Sequence, residues 1–321
     1  MTTPSPSAQS LRALLEPRSI AVLGASERPS IGRSIIESLG RLGYEGAIYP
    51  INARYDELLS FKCYPSVLDL PAAPDVVAFC IGSAQLLESV RLLAQRGARG
   101  LVVYDGGFSE RDDSGRKLQD GVAALCREAD IALCGPNCMG ILNPAARSTS
   151  YLAAVRDPTG LAGNVGLVAQ SGSICNGMLT DLRRFGFSLV ISSGNEAVVS
   201  TAAYLEHLID DPATKVIATF TETVREPERY VAALDRAADK GKPVIVLKVG
   251  RSDRTRHAIH SHTGGLAGES RVFSEVLRAH RAIEVQDLDE LTEVVAVCQG
   301  TRWPRGKRIG VTMGSGGQME L

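Results

Sequence analysis

The chain has 321 residues, 44% of them hydrophobic and 22% charged, with a formal net charge of −1. This length favours two domains of ordinary size, and the near-neutral charge disfavours electrostatic capture of nucleic acid or an anionic membrane. No apolar run approaches the roughly 20 residues that cross a bilayer, and the polar N-terminus lacks the apolar core of a secretory signal, so we expect a cytoplasmic protein without a membrane partner.

Short apolar runs alternate with helical patterns in the first part of the chain. Strands are predicted at residues 20–23, 48–51, 76–81, 101–103 and 132–134. Helices are predicted at residues 34–42, 84–95 and 115–128. Strict alternation of strands and helices predicts a parallel sheet covered on both faces. We therefore predict an α/β domain over residues 16–145, preceded by a flexible N-terminus over residues 1–15.

The loop at residues 143–163, rich in proline, glycine and polar residues, is the best candidate for a domain boundary. A second alternating series follows, with strands predicted at residues 165–169, 189–192, 216–220 and 244–249. Its helices are predicted at residues 177–184, 200–209, 228–239 and 270–279. These elements predict a second α/β domain over residues 146–303. Residues 304–321 read as the first strand (308–312) and glycine-rich loop (314–317) of a further unit, so we expect a truncated piece of a longer protein.

The first segment with chemical potential is a strand, a turn at Gly24 and a helix. Backbone N–H groups at such a turn and helix start can hold a phosphate. The spacing to Gly32 does not fit the GxGxxG pattern, and the second strand ends near Asn52 and Arg54 instead of an acidic residue. A nicotinamide cofactor is therefore disfavoured, whereas Arg33 and Arg54 favour extra phosphates. The alternative is a tight turn with a purely structural role.

The second segment is VAQSGSICN, in which Ser171, Gly172 and Ser173 follow a strand and open a helix. Small residues with free N–H groups at a helix start predict a compact anion site. One alternative is a nucleophilic serine at Ser171, although the first glycine of the GxSxG pattern is missing. Another is an ordinary serine cap of the helix.

The third segment is SHTGGLAGE, residues 261–269, which places His262 in a glycine-rich loop with no apolar face to pack against. Glycines allow tight turns and close approach of a ligand, which suits a reactive imidazole. A metal site with His257 and His260 lacks a suitably spaced carboxylate or cysteine, so we predict no metal site. The seven cysteines include no CxxC pair and predict reduced, mostly buried thiols.

Together these segments resemble the NDP-forming (ADP-forming) acyl-CoA synthetases, relatives of the succinyl-CoA synthetase α subunit. The resemblance runs from the opening LRALLEPRSIAVLGAS, through GPNCMGILNP at residues 135–144 and VAQSGSICN, to SHTGGLAGE. It covers nearly the whole chain. The chain departs from many relatives at Cys138 and Met139, where serine and leucine are usual, and this difference is expected to alter the acyl pocket.

The resemblance implies a Rossmann-like CoA-binding domain followed by a flavodoxin-like, succinyl-CoA synthetase-like domain. It also implies that turns after three strands and one later loop surround coenzyme A. These positions are Gly24, Ala25, Ser26 and Arg33 at the phosphates; Asn52 and Arg54 at the nucleotide portion; Cys80, Ile81 and Gly82 along the path; and Pro136 and Asn137 at the thiol end.

The resemblance further implies that His262 is phosphorylated, that Glu222 orients it, and that Ser171, Gly172 and Ser173 cradle the phosphoryl group. An acyl-CoA thioester would then form from a carboxylic acid, CoA and ATP through an acyl phosphate. ATP or ADP with Mg²⁺ would bind an ATP-grasp domain or subunit outside this chain, and the full protein is expected to be a homo-oligomer. The nature of the acid stays open.

Two other functions compete with this interpretation. A CoA- or acyl-CoA-sensing regulatory domain of a larger protein, such as an acetyltransferase fusion, would resemble the same region. A pure sensor does not need His262, Glu222 and the Ser171–Ser173 segment together, so their joint presence favours catalysis. A nicotinamide dehydrogenase would require NAD, and not CoA, to raise the melting temperature.

Overall fold

The computed structural model describes residues 5–180, 184–250 and 270–300, with residues 306, 308, 310, 312 and 314. Within these residues the chain forms two lobes, each built on a sheet flanked by helices. The α/β class with parallel sheets is confirmed. Residues 251–269, with His257, His260 and His262, lie outside the described residues, and so does most of the segment predicted as a strand and loop at 308–317.

The first lobe has a five-stranded, fully parallel sheet in the order β2-β1-β5-β6-β7. Its strands are β1 (Ser19–Leu23), β2 (Ala47–Ile51), β5 (Val76–Phe79), β6 (Gly100–Val103) and β7 (Ala132–Cys134). A separate small hairpin pairs β3 (Glu57–Leu58) with β4 (Phe61–Lys62). The helices are α1 (Ala8–Leu15), α2 (Ile31–Leu42), α3 (Leu86–Arg96) and α4 (Asp113–Glu128), with short 3-10 turns at Val67–Asp69 and Ser83–Gln85. The central strands are buried on both faces, which is why they read as continuous apolar runs.

The N-terminal segment corrects one expectation, because residues predicted to be flexible form helix α1. Ser7 caps this helix by accepting a hydrogen bond from the Ser10 N–H, and Leu14 and Leu15 are buried against the first sheet. The Asp130 carboxylate accepts hydrogen bonds from Ser7 and Ser10, which fastens the start of α1 to the end of α4. Apolar residues spaced three and four apart explain the helix.

The second lobe has a seven-stranded sheet in the order β14-β13-β12-β10-β11-β8-β9. Its parallel strands are β10 (Ala162–Ala169), β11 (Phe187–Ser192), β12 (Val216–Thr221), β13 (Val244–Lys248) and β14 (Ile283–Val285). Its helices are α5 (Gly172–Leu179), α6 (Thr201–Asp210), α7 (Pro227–Asp239), α8 (Ser270–Ala279) and α9 (Leu288–Cys298). Helix α5 begins at Gly172, five residues before the start predicted from the helical pattern but at the Ser171–Ser173 segment that was predicted to open a helix.

One edge of the second sheet is antiparallel. Strand β8 (Gly140–Asn143) pairs with β11, and β9 (Ser148–Thr149) pairs with β8. This hairpin lies within or beside the segment predicted as a boundary loop, and it crosses the boundary predicted at residue 145. Its turn is closed by the Asn143 Oδ1 atom, which accepts from the Ala146 N–H at 2.9 Å. Four- and two-residue strands carry too little pattern to be recognised from sequence.

The seven cysteines are free thiols, and all but Cys80 are buried. None of the helices within the described ranges is long and apolar enough to span a membrane.

Candidate functional site

The turn after β1 touches the segment that follows β5. Gly24 has φ +90°, and a β-carbon there would lie 2.4 Å from Ile81 Cγ2 and 2.8 Å from the Cys80 carbonyl oxygen. Glycine is therefore required both by backbone conformation and by space. The Cys80 N–H donates to the Leu23 carbonyl at 2.9 Å. The predicted segments 24–26 and 80–82 thus form one continuous surface at the carboxyl end of the first sheet.

Asn52 ties the end of β2 to the same surface. Its Nδ2 atom donates to the Ala25 carbonyl at 2.8 Å, and its Oδ1 atom accepts from the Arg54 N–H at 3.0 Å. The Asn52 N–H donates to the Tyr64 carbonyl at 2.9 Å. The predicted residues that follow β1, β2 and β5 therefore lie together, as expected of ligand sites in parallel sheets.

Arg33 is engaged within its own helix. Its Nε atom lies 2.8 Å from Glu37 Oε1, and its Nη1 atom donates to the Glu27 carbonyl. Ser30 caps α2 by accepting from the Arg33 N–H at 3.2 Å. A phosphate would have to compete with Glu37 for this guanidinium, so a direct contact between Arg33 and CoA stays a prediction.

The Cys80 thiol is held in its neutral form. Burial and, to a smaller extent, the nearby Asp105 carboxylate raise the pKa of Cys80 to about 12. A neutral thiol is a poor nucleophile. That Cys80 lines a ligand path through its backbone stays a prediction.

Pro136 and Asn137 lie at the joint between the lobes. The Asn195 N–H, in the loop after β11, donates to the Pro136 carbonyl at 2.9 Å. Gly194 is so close that a β-carbon would lie 2.3 Å from the Pro136 carbonyl oxygen and 2.4 Å from that of Asn137. The Asn137 Nδ2 atom donates to Asn195 Oδ1 at 3.3 Å. The predicted thiol end of the ligand path therefore adjoins the carboxyl end of the second sheet.

The side chain of Asn195 completes this joint and was missed by sequence reasoning. It is buried, and its Nδ2 atom lies 2.7 Å from Glu110 Oε2 and 3.0 Å from Gln119 Oε1, both in the first lobe. Its only sequence signal was the polar run SSGNE at the end of an apolar strand. Asn195 therefore fixes the two lobes relative to each other.

Ser171, Gly172 and Ser173 form the start of α5, as predicted. Ser171 is the N-cap residue, but its side chain makes no capping hydrogen bond to the helix backbone. Instead its Oγ atom lies 2.9 Å from Ser173 Oγ. The two hydroxyl groups and the N–H groups of the first turn form a polar edge suited to an oxyanion. Since the hydroxyl partner of Ser171 is another serine, this geometry does not support the nucleophile alternative.

Gln170 joins this helix start to Glu222 and was also missed. Its buried Oε1 atom accepts from the Glu222 N–H at 2.7 Å and from the Thr223 N–H at 2.9 Å. Its Nε2 atom donates to the Thr223 carbonyl at 2.7 Å. The structure thus brings the predicted residues Ser171 and Glu222 to neighbouring strand ends and links them through one side chain.

Lys248 holds Glu222 from the opposite side. This lysine is buried at the end of β13, and its Nζ atom donates to the Glu222 carbonyl at 2.8 Å and also to the Val249 carbonyl. Its Nζ atom also lies 5.6 Å from the centre of the Phe273 ring. A lysine that ends the apolar run VIVLK was the available signal in the sequence.

The predicted residues therefore gather at two adjoining edges. Those assigned to CoA lie at the carboxyl end of the first sheet and at the joint, and those assigned to phosphate lie at the carboxyl end of the second sheet. His262 lies outside the described residues. Among the described residues, no group of three or more His, Cys, Asp or Glu side chains could hold a metal ion.

Comparison with known proteins gives two domain matches. Residues 18–144 match the CoA binding domain, and residues 162–298 match the succinyl-CoA ligase like flavodoxin domain. The chain is 35% identical over 313 residues to trans-feruloyl-CoA synthase from an unknown prokaryotic organism, covering 96% of this chain and 44% of that protein. It is 32% identical over 316 residues to the α subunit of ADP-forming acetate–CoA ligase I of Pyrococcus furiosus, covering 96% of this chain and 67% of that subunit.

Among solved structures, the chain superposes on dinucleotide forming acetyl-coenzyme A synthetase 1 of Ca. Korarchaeum cryptofilum, in complex with phosphate and ADP. The TM-score is 0.85 at 28% sequence identity, covering 92% of this chain and 64% of that chain. The chain spans less than half the length of several matching relatives, such as 44% of trans-feruloyl-CoA synthase and 45% of an acetate–CoA ligase of Archaeoglobus fulgidus.

Proposed function

This chain belongs to the ADP-forming acyl-CoA synthetases, relatives of the succinyl-CoA synthetase α subunit, and on that basis we propose that it binds CoA and transfers the phosphoryl group in such an acid–thiol ligase. The proposal rests on one observation above others. Gln170 accepts from the Glu222 N–H directly before the start of α5, so that the backbone of Glu222, whose side chain is buried, adjoins a helix start suited to an anion. That pairing suits a histidine that alternates between free and phosphorylated forms.

The chemistry starts with neutral His262, which is populated near neutral pH and is a competent nucleophile. It attacks the γ-phosphorus of ATP, the bond to the β-phosphate oxygen breaks, and ADP leaves. Glu222 accepts a hydrogen bond from the other ring nitrogen, which fixes the tautomer and supports the developing positive charge. Ser171, Gly172 and Ser173 donate to the phosphoryl oxygens.

The acid substrate then takes over the phosphoryl group. Its carboxylate attacks phosphorus, the P–N bond breaks, and neutral His262 and an acyl phosphate result. The CoA thiol attacks the acyl carbon, the C–O bond to the phosphate breaks, and phosphate leaves with the thiol proton, which gives the thioester. The segments 24–26 and 80–82, with Asn52 and Arg54, hold the CoA, and Pro136 and Asn137 direct its thiol toward the second lobe.

ATP with Mg²⁺ binds, in this proposal, to an ATP-grasp domain or subunit. The P. furiosus relative is itself named as an α subunit, which supports a partner subunit. The acid is proposed only as a carboxylic acid, since the names of relatives range from acetate to 4-hydroxybutyrate and ferulate.

The test is phosphoryl transfer from γ-labelled ATP, using the longer parent chain or this chain with its ATP-grasp partner. We expect acid-labile, base-stable label on the wild-type protein and none on His262→Ala. CoA should raise the melting temperature of both proteins. A folded, CoA-binding wild-type protein that acquires no label would overturn the proposal and favour a CoA-sensing domain.

A further inference from the structure

The backbone around Glu222 is held by side chains and not by a strand ladder. The register between β12 and β13 ends at Thr221, whose carbonyl accepts from the Val249 N–H at 3.1 Å. Beyond it, the Glu222 N–H and both backbone groups of Thr223 are bonded to Gln170. Buried backbone groups need such partners, so this side chain replaces the missing ladder.

Gln170 also lies directly before the start of helix α5, the second part of the proposed phosphoryl-transfer site. Its own N–H donates to the Phe220 carbonyl at 3.2 Å, and the next residue is Ser171, the N-cap of α5. The residue is 4% exposed, so packing restricts its side chain. A shift of the helix start therefore moves the Glu222 loop with it.

The bond pattern requires an amide. Only a group that accepts two hydrogen bonds and donates a third satisfies the Glu222 N–H, the Thr223 N–H and the Thr223 carbonyl at once. Methionine, of similar length, would leave all three groups without this partner. Glutamate would keep the two acceptor bonds and lose the donated one.

We propose that Gln170 is a positioning residue for phosphoryl transfer, which sets the distance between Glu222 and the Ser171–Ser173 helix start. This inference rests on the proposed function and extends it to a residue whose side chain bonds the backbone of Glu222 and Thr223. Gln170 acts through Glu222. A misplacement of about 1 Å in such a site costs roughly 10²-fold in rate.

The test measures the initial rate of His262 labelling from γ-labelled ATP in the full assembly with the ATP-grasp partner. We expect Gln170→Met to lower this rate by about 10- to 100-fold, while the Kd for CoA, whose site lies in the first lobe, stays unchanged. The matched control is Ser188→Ala. It removes another buried hydrogen bond, the 2.7 Å contact of Ser188 Oγ with Thr214 Oγ1 at the opposite end of β11, and it should label at the wild-type rate.

A double-mutant cycle separates positioning from simple stabilisation. If Gln170 acts through Glu222, Gln170→Met combined with Glu222→Gln should label no more slowly than Glu222→Gln alone. Should Gln170→Met fail to fold, Gln170→Glu takes its place, with slower labelling expected because the bond to the Thr223 carbonyl is lost and a buried carboxylate faces that oxygen. If the losses of labelling rate from the two substitutions were additive in the double mutant, or if a folded Gln170→Met labelled at the wild-type rate, this inference would be overturned. The proposed function would still stand. Absence of label on the wild-type protein would remove both the inference and the proposed function.

Discussion

Gly172 and Met139 are in such close contact that a β-carbon on Gly172 would lie 2.4 Å from Met139 Cγ and 2.7 Å from Met139 Sδ. Met139 lies in the segment that connects the two lobes, and Gly172 is the first residue of α5. The Met139 N–H in turn donates to Ser192 Oγ at 2.9 Å, at the end of β11. The interlobe segment thus packs directly against the start of the proposed phosphate-binding helix.

Replacing Gly172 by alanine should displace this helix start. The added methyl group overlaps the middle of the Met139 side chain, and overpacking of this kind costs about 1–3 kcal/mol in the free energy of unfolding. We expect that loss in urea denaturation, together with slower labelling of His262 in the full assembly. Adding Met139→Ala should remove part of the overlap, so that the two changes cost less together than their sum.

Gly177→Ala in the same helix is the matched control. A β-carbon there meets nothing within 4 Å, so alanine should stabilise the helix by roughly 0.5–1 kcal/mol. If the Gly172 and Gly177 variants showed the same change in the free energy of unfolding, this result would contradict the contact with Met139.

A second prediction concerns the turn after β1. Gly24→Ala forces a β-carbon into Ile81 and the Cys80 carbonyl at a backbone φ of +90°. Backbone strain and overlap should lower the free energy of unfolding by about 1–3 kcal/mol. The displaced turn should also weaken CoA binding at least tenfold by isothermal titration calorimetry.

Gly40→Ala controls for the loss of a glycine in the same lobe. Its β-carbon, in the last turn of α2, would meet nothing within 4 Å, so the variant should bind CoA like the wild-type protein. Unchanged CoA affinity in a folded Gly24→Ala protein would argue against this turn as part of the CoA site.

Much of the fold was predictable because parallel strands that are buried on both faces leave continuous apolar runs. The predicted strand at residues 132–134 agrees with β7 residue for residue, and the other strands predicted between residues 20 and 249 agree within a few residues at their ends. Helix α1 was missed because its eight residues follow a polar, proline-rich start, and its stability depends on Asp130, a residue distant in sequence. Strand β8 depends on pairing with β11, and β9 depends on pairing with β8, which no local pattern reveals.

The candidate site was only partly predictable for a similar reason. Motifs pointed to Ser171 and Glu222 separately, since each follows an apolar strand or matches a family segment. Gln170, Lys248 and Asn195 have roles that depend on which strand ends become neighbours, and that order is set by the whole sheet. The role of Gln170, the residue directly before Ser171, cannot be recognised from the sequence until β12 is placed beside β10.

A third prediction tests the joint between the lobes. Asn195→Leu removes the amide that donates to Glu110 and Gln119, which leaves two partly buried acceptors without this donor. The change should lower the free energy of unfolding by about 1–3 kcal/mol. Asn195→Asp should cost at least as much at pH 7.5, because two carboxylates would then face each other.

The two variants should differ in their response to acid. Repulsion from Glu110 raises the pKa of the introduced carboxyl, so the folded state takes up a proton more readily than the unfolded state and part of the loss is regained as the pH falls. Relative to the wild-type protein, urea denaturation at pH 7.5 and 5.5 should show recovery for Asn195→Asp and none for Asn195→Leu. If the free energies of unfolding of the two variants changed equally between pH 7.5 and 5.5, this result would contradict the contact with Glu110.

A fourth prediction concerns His207 on α6, whose Nε2 atom lies 3.5 Å from Glu16 Oε1 at the end of α1. Burial lowers the pKa of His207, and Glu16 opposes this effect only in part. The unfolded state therefore binds a proton more readily than the folded state near pH 6. The contribution of this histidine to the free energy of unfolding is fully present above about pH 6.5 and is lost as the pH falls below that value.

His207→Gln should accordingly reduce the loss of unfolding free energy between pH 7 and pH 5, measured by urea denaturation at half-unit intervals. Glu16→Gln should have the opposite effect, because it removes the charge that favours the protonated ring and so lowers the pKa of His207 further. Each unit of difference in pKa corresponds to about 1.4 kcal/mol at most. The two variants could instead change the loss of unfolding free energy between pH 7 and pH 5 in the same direction. That loss would then not arise from protonation of His207 beside Glu16, and its origin would lie in other groups of the α1–α6 contact.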